Sequence, residues 1–274
     1  TICLSDWSSD VCSSDLRITG YTPEEVLGKT TLEMGLWVDP EDRAEFVKSL
    51  LREEDVHDSE MRFRIKDGSI MTGMVSAKRI CAFGEDCILT SVSDITEMVK
   101  IKERLEKMAL HDTLTGLPNR QLFYDRAAIA MANARREKEM FAVISMDVDG
   151  LKFVNDHWGH MAGDHVLITV GNRLCDLLRK GDTVSRFGGD EFVILLNRVN
   201  QTEDVQITVK KIMQTVTEPV EVEGECIAVS VSLGIAIYPT DDTEIEALIR
   251  KSDEAMYYIK MHGRNGYRFF CGDS

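Results

Sequence analysis

Apolar and β-branched residues run unbroken from Phe141 to Val148, the pattern of a strand buried on both sides. A second such run, Phe192 to Leu196, follows Arg186-Phe187 after a Gly188-Gly189 pair, which predicts a hairpin with its tip at the glycines. Helical periodicity lies between these two strands, from His165 to Leu178. Nearer the start of the chain, Met61 to Ser69 reads as strand, turn and strand again, with further strands at Thr72 to Arg79 and Ile88 to Val92. Between the two regions, Met98, Ile101, Leu105 and Met108 fall at alternating steps of three and four, with Glu97, Lys100, Lys102, Glu103, Arg104, Glu106 and Lys107 on the other faces. That is the seam of a short coiled coil, or of a linker helix packed on a neighbouring domain.

Carboxylates interrupt this pattern where folding alone has no use for them. Asp190 and Glu191 follow the glycine pair directly, and Asp147 and Asp149 close the first strand. A lone acidic hairpin tip is as often just a solvated turn, so the company of Asp147 decides. Asp147 and Asp149 are expected on opposite faces of their strand, so that one joins Asp190 and Glu191 while the other anchors the following turn. A cluster of Asp147, Asp190 and Glu191 offers hard oxygen ligands for Mg²⁺ or Mn²⁺, and no Cys or His spacing suggests zinc. Placing a nucleoside triphosphate beside these acids without a cation would cost about 4 kcal/mol per unit-charge pair at 4 Å and an effective dielectric of 20.

The order of motifs resembles the GGDEF family of diguanylate cyclases. Asp112-Thr113-Leu114-Thr115-Gly116-Leu117-Pro118-Asn119-Arg120 is similar to its opening signature, and Asn155-Asp156-His157-Trp158-Gly159-His160-Met161-Ala162-Gly163-Asp164 to its nucleotide-binding segment. Ser232-Leu233-Gly234-Ile235-Ala236, Ala255-Met256-Tyr257 through Lys260, and Gly263-Arg264-Asn265 are similar to its closing strand and helix. The resemblance implies an α/β domain over 112–272, with a central, mostly antiparallel sheet flanked by helices. It implies condensation of two GTP into cyclic di-GMP and two pyrophosphates, with two Mg²⁺ or Mn²⁺ ions per active site.

Carried over by position, the metals fall to Asp147, the Val148 carbonyl, Asp190 and Glu191, one of the last two being the proton acceptor. Asn155 and Asp164 would read the guanine edge, with His160 in the same segment and Gly188 and Gly189 lining the substrate. Backbone amides from Asp149 to Lys152 would wrap the phosphates, and Lys260 and Arg264 would neutralise them. Gly150-Leu151 departs from the family, which more often has a variable residue followed by Phe; contacts made by backbone tolerate this. Arg179 and Asp182 resemble the family's product-inhibition site, where an Arg forks onto phosphate or guanine. Taken singly, each residue has a plainer reading: Asn155 and Asp164 as helix caps, His160 as a structural imidazole, Lys260 and Arg264 as a cationic helix end, and Arg179 with Asp182 as a surface ion pair. Each domain holds one GTP, so a cyclic product requires a homodimer, with cyclic di-GMP as product and inhibitor.

Residues 17–96 resemble an N-terminally truncated α+β PAS sensor domain, through Ile18-Thr19-Gly20-Tyr21-Thr22-Pro23-Glu24-Glu25-Val26-Leu27-Gly28-Lys29, Asp39-Pro40-Glu41-Asp42-Arg43 and the exit Asp94-Ile95-Thr96-Glu97. Residues 97–111 form the helical linker. No residue nominates a haem or flavin ligand for the PAS domain, whose ligand stays unassigned; His57 reads as a solvated residue of a loop or helix end. Residues 1–16 suit no domain, and Asp6 to Leu16 back-translates to a string resembling a sequencing-library adapter, so this leader is expected to be non-native.

Composition narrows the function classes. At 274 residues two domains are expected, and a net charge of -15 argues against nucleic acid as a partner. The seven Cys form no CxxC and no apolar run is long enough to span a membrane, so a cytoplasmic protein with reduced thiols is expected. The alternative from another class is a catalytically silent module that binds GTP or cyclic di-GMP.

Overall fold

The computed structural model describes residues 2–3, 18–26, 29, 31–52, 55–82, 85–222 and 224–271. The chain divides into two units, Thr1–Leu105 and Glu106–Ser274.

The first unit is α+β. Strands β1 (Ile2–Cys3), β2 (Val56–Arg64), β3 (Ile70–Ala82) and β4 (Glu85–Asp94) form one antiparallel sheet in the order β1-β4-β3-β2. Ahead of the last three strands, the described residues include the helices α1 (Pro23–Val26) and α2 (Pro40–Leu51). Asp39 starts α2: its carboxylate accepts the Glu41 amide at 2.9 Å, and Pro40 needs no partner for the N–H it lacks. Along β3 the strand period puts Met71, Gly73, Val75 and Ala77 inside. Gly73 has to be glycine, because a Cβ there would lie 2.9 Å from both Phe63 and Val92.

Two expectations change in this unit. His57 lies exposed on strand β2 rather than in a loop or helix end. Ile2 and Cys3, in the leader set aside above, pair with Ile88 and Cys87. The adapter-like stretch 6–16 lies outside the described residues. Helix α3 (Thr96–Leu110) follows, with Met98, Ile101, Leu105 and Met108 all at least half exposed.

The second unit contains α4 (Arg120–Glu137), β5 (Met140–Asp149), α5 (Leu151–Trp158), α6 (His160–Leu177), β6 (Thr183–Gly188) and β7 (Glu191–Val199). It continues with α7 (Thr202–Val216), a small hairpin β8 (Val220–Val222) and β9 (Glu225–Ile227), then β10 (Ser230–Tyr238), α8 (Ile245–Met261) and β11 (Gly266–Phe269). Its central sheet runs β11-β10-β5-β7-β6, with β10 and β11 parallel and the other neighbours antiparallel. This is the mostly antiparallel, helix-flanked α/β sheet expected.

Every residue from Phe141 to Val148 is buried, which explains the unbroken apolar run. Ala142, Ile144, Met146 and Val148 pack with Val166 and Val170 of α6 and Val209 and Ile212 of α7. Phe141 and Val143 face the other way, onto Phe123 of α4 and Leu248 and Ile249 of α8. Helix α8 lies directly on β10 at Gly234, where a Cβ would stand 2.0 Å from the Ser252 carbonyl and 2.2 Å from the Met256 nitrogen. Those atoms are backbone and have no rotamer to change. Gly234→Ala should therefore force α8 outward and cost at least about 1–3 kcal/mol, the range for an overpacked core; an unchanged thermal midpoint would show that the helix does not depend on this contact.

Candidate active site at the strand ends

Strand β5 ends in the two acids, and both point to the face covered by α8. Residues two apart on a strand share a face, so the expectation of opposite faces is corrected: Ser232, directly across from Asp147, reaches Asp149 with its hydroxyl at 2.8 Å. What separates the two acids is their partners. Asp149 also accepts the Ser230 hydroxyl at 2.9 Å and the Asn265 amide at 3.2 Å. It thus anchors a turn, though the one after α8 rather than the one after β5.

That turn is Gly263-Arg264-Asn265, three consecutive residues with positive φ, of which Arg264 at 59° and Asn265 at 49° are not glycine. Such backbone persists only where its surroundings enforce it, and here the Asp149 contact to the Asn265 amide acts together with the Arg264 amide, which donates to the Ile259 carbonyl at 2.9 Å. Arg264 is left 62 % exposed, its Nε 4.0 Å from Asp149.

Asp147 is 3 % exposed, faces Glu191 in the β5–β7 register, and lies against the ammonium of Lys260. Burial pushes its carboxyl up to about 6, the Lys260 hydrogen bond pulls the other way, and the charges of Asp190 and Asp149 add to the rise. Its Oδ2 takes no hydrogen bond of acceptable geometry. Earlier in α8, burial also pushes Asp253 up, opposed by Ser145, Arg120 and Lys260.

The hairpin tip is shifted by one residue from the sequence expectation. Gly188 pairs with Glu191, so the two central residues are Gly189 and Asp190, and Gly189 at φ 53° supplies the left-handed position. The tip is held from two sides. The Val148 amide donates to the Asp190 carbonyl at 3.1 Å. Arg186, only 10 % exposed, donates to the Gly189 carbonyl from Nε at 3.1 Å and Nη2 at 2.7 Å, while its Nη1 reaches Asp112 at 2.9 Å. Asp112 in turn accepts the amide and hydroxyl of Thr115 at 2.9 and 2.6 Å. Burial opposes the ionised form of Asp112, but the Thr115 and Arg186 bonds outweigh it and hold the carboxyl below its ordinary value.

Arg186 and Asp112 had no role assigned from sequence. The available signal was an Arg at a position where the strand pattern calls for an apolar residue.

The nucleotide-binding segment folds as two helices joined at Gly159. Asn155 lies inside α5 and Asp164 inside α6, so neither caps a helix; Gly150 and Gly159 stand at the N-cap positions. Helix α6 begins at His160, five residues before the predicted start, and His160 is exposed. Asn155 lies over Gly163, where a Cβ would stand 1.9 Å from its side-chain oxygen. The first amides of α5, at Leu151, Lys152 and Phe153, precede any intrahelical acceptor and open the helix at its positive end. Trp158 ties this helical pair to the β8–β9 hairpin by donating to Glu225 at 2.9 Å.

Arg179 and Asp182 do meet, Nε to Oδ1 at 3.2 Å, but they are unequal partners. The Asp182 side chain is 5 % exposed and also accepts the Asn197 amide at 3.0 Å, whereas Arg179 is 61 % exposed and contacts the Asn197 and Arg198 carbonyls.

Buried Asp147, whose Oδ2 meets only the Lys260 ammonium, stands opposite Glu191 and within reach of the Asp190 charge, a set of hard oxygens that suits a divalent cation. Among the described residues, no three His, Cys, Asp or Glu side chains are drawn together as a finished metal cluster. The acids, the amide-rich start of α5 and two cations on and after α8 come from separate elements of one α/β domain, with Lys260 and Arg264 each brought to an acid at the end of β5.

Residues 109–266, more than half of the chain, match the family described as diguanylate cyclase, GGDEF domain, and the chain belongs to that family. Family membership implies a divalent metal. Among curated relatives, the chain is 41 % identical over 175 residues to MucR of Pseudomonas aeruginosa, a bifunctional diguanylate cyclase/cyclic di-GMP phosphodiesterase, covering 64 % of this chain and 25 % of MucR. It is 33 % identical over 202 residues to the diguanylate cyclase DgcM of Escherichia coli, covering 74 % and 48 %. The chain thus spans between a quarter and about half of the length of these relatives.

Among solved structures, the GGDEF domain of TpbB (YfiN) from Pseudomonas aeruginosa aligns with a TM-score of 0.58 at 36 % identity, covering 59 % of this chain and 94 % of that one. The coiled coil and GGDEF domain of DgcB from Caulobacter crescentus, solved in complex with c-di-GMP, aligns at 0.57 and 26 % identity, covering 64 % and 93 %. No helix among the described residues is long and apolar enough to cross a membrane.

A carboxyl whose pKa is higher in the fold than in the unfolded chain favours folding while protonated, and its charging erodes stability as pH rises from about 4 towards 6. In EDTA at pH 7, Asp147→Asn should therefore raise the thermal midpoint by roughly a few degrees. The gain over wild type should vanish as the pH is lowered towards 4, with Asp241 and Asp253, also pushed up by burial, titrating alike in both proteins. A lower midpoint for the variant at pH 7 would contradict this account of the site.

Proposed function

We propose that this chain is a diguanylate cyclase that condenses two GTP into cyclic di-GMP with release of two pyrophosphates. The observation that carries the proposal is the gathering, at the end of β5, of Asp147, the Gly189-Asp190 turn and Lys260, within a domain of the GGDEF family. A divalent cation pair held by Asp147, the Val148 carbonyl, Asp190 and Glu191 would neutralise phosphate oxygens and acidify the attacking ribose 3′-hydroxyl. The residues of the chain do the rest. Asn155, kept flat against α6 by Gly163, and Asp164 take the guanine edge, with His160 at the start of α6 alongside. The amides opening α5, including that of Lys152, take the phosphates, and Gly188 and Gly189 let the hairpin approach without side chains. Lys260 and Arg264 offset the charge of the leaving pyrophosphate, and Asp190 or Glu191 accepts the hydroxyl proton.

One such domain holds one GTP, so the cyclic product requires two copies face to face. The exposed seam of Met98, Ile101, Leu105 and Met108 on α3 is the device we assign to that pairing. We assign the first unit as a PAS-type sensor, on the strength of its Asp39-capped helix followed by an antiparallel meander. Product inhibition falls to Arg179, whose exposed guanidinium lines a cleft of about 540 Å³ with Arg126, Asn133, Met140, Lys180 and Arg198. Asp182 is its buried anchor. DgcB, solved with c-di-GMP, supports this reading by kinship.

Purified protein incubated with GTP and Mg²⁺ should yield cyclic di-GMP, and changing both Asp190 and Glu191 to Ala should abolish it. GTP binding without turnover would instead identify a silent binding module, and a cyclic product from ATP or mixed nucleotides a different cyclase. Separately, Arg179→Ala should keep the initial rate and lose inhibition by added cyclic di-GMP; inhibition equal to wild type would remove the site from this residue.

A further inference from the structure

We propose that Lys260 is the resident counter-ion of Asp147 in the metal-free protein, and that divalent metal displaces its ammonium and so delivers it to the nucleotide phosphates. The proposal rests on the reading of this site as a metal and triphosphate site, and adds an order of events to it. Three observations carry it. The ammonium of Lys260 lies directly on Asp147 Oδ2, a buried oxygen with no other partner. The neighbouring acid offers no other seat, because Asp149 is already engaged by Ser230, Ser232 and the Asn265 amide. Among the described residues no three His, Cys, Asp or Glu side chains are drawn into a finished cluster, so Asp190 and Glu191 do not already close a ligand set around Asp147.

A divalent cation brought to the oxygen that already holds the Lys260 ammonium meets like-charge repulsion at close range, so metal and lysine compete for it. The loser is not stranded. Asp147 is 4 % exposed in its side chain, but Lys260 is 28 % exposed, and its four-carbon stem can swing the head group towards solvent. Helix α8 itself stays put, since its backbone is pressed on Gly234. The ammonium freed by the metal therefore remains within a stem's length of the site, on the side open to an arriving triphosphate. Lysine on Asp147 also spares the fold an uncompensated buried charge.

Mn²⁺ binding without nucleotide, followed by electron paramagnetic resonance, separates the possibilities. Lys260→Met should bind Mn²⁺ more tightly than wild type by on the order of tenfold, the equivalent of one pKa unit of differential interaction. Lys260→Arg, which keeps the charge, should stay close to wild type. Equal or weaker Mn²⁺ binding by Lys260→Met would overturn the proposal.

Because the Met variant can be too unstable to measure without metal, wild type supplies a second test. Acylation of Lys260 by an amine reagent, read by mass spectrometry, should rise several-fold when Mn²⁺ is added. Unchanged labelling with Mn²⁺ bound would overturn the exchange. Failure of the underlying reading looks different: Asp147→Asn would then leave Mn²⁺ binding intact.

Discussion

Asp147 is 3 % exposed, stands opposite Glu191 on the neighbouring strand and feels the charges of Asp190 and Asp149, so its ionised form depends on a cation. Like charges directly opposite on a ladder are destabilising, and a buried carboxylate without a partner is worse. The rest of the domain is arranged around that constraint. Strand β5, apolar on both faces, fixes where the carboxylate stands. Helix α8 brings Lys260 to it, and the turn beyond α8 brings Arg264 to the same end of the sheet. The hairpin that presents Asp190 is held by groups that are not themselves acids.

Rigidity here comes from close approach. Gly234 lets α8 lie on β10 with backbone touching backbone, and Gly163 lets Asn155 lie against α6. A methyl group at Gly163 would strike the Asn155 side chain itself, and one at Gly234 would push on the backbone of the helix that carries Lys260. Arg186 plays the complementary part, joining Asp112 to the Gly189 carbonyl so that the opening signature of the domain braces its acidic turn. The Asn119 side chain does similar work, capping α4 through the Leu122 amide at 3.1 Å while donating to the Ala109 carbonyl at 2.7 Å.

Much of the architecture was legible from residue pattern. The buried strand at 141–148 and the strand after the glycine turn follow from apolar runs, and the sheet proved mostly antiparallel as the family resemblance implied. What pattern could not supply were distances between residues far apart in the chain. Asp149 was placed on the wrong face, although its spacing of two from Asp147 puts both on one side. The hairpin tip moved by one residue because Gly188 still pairs with Glu191. The plainer reading of Asn155 and Asp164 as caps beside Gly159 does not hold, since glycines take those positions and the polar side chains lie within the helices. The Arg186–Asp112 pair joins residues 74 positions apart, and nothing local announces such a partner.

Asp149 accepts from Asn265, 116 residues later in the chain. During synthesis, domains assemble as the chain emerges from its N-terminal end, and contacts of such long separation form late because the intervening loop must first be closed. The strand carrying Asp149 is therefore made long before the turn that gives it a partner. Until that last turn leaves the ribosome, the acids at the end of β5 have neither the clasp at Asn265 nor the lysine of α8. A domain whose synthesis has not yet passed Asn265 consequently holds its central strand without the clasp on Asp149.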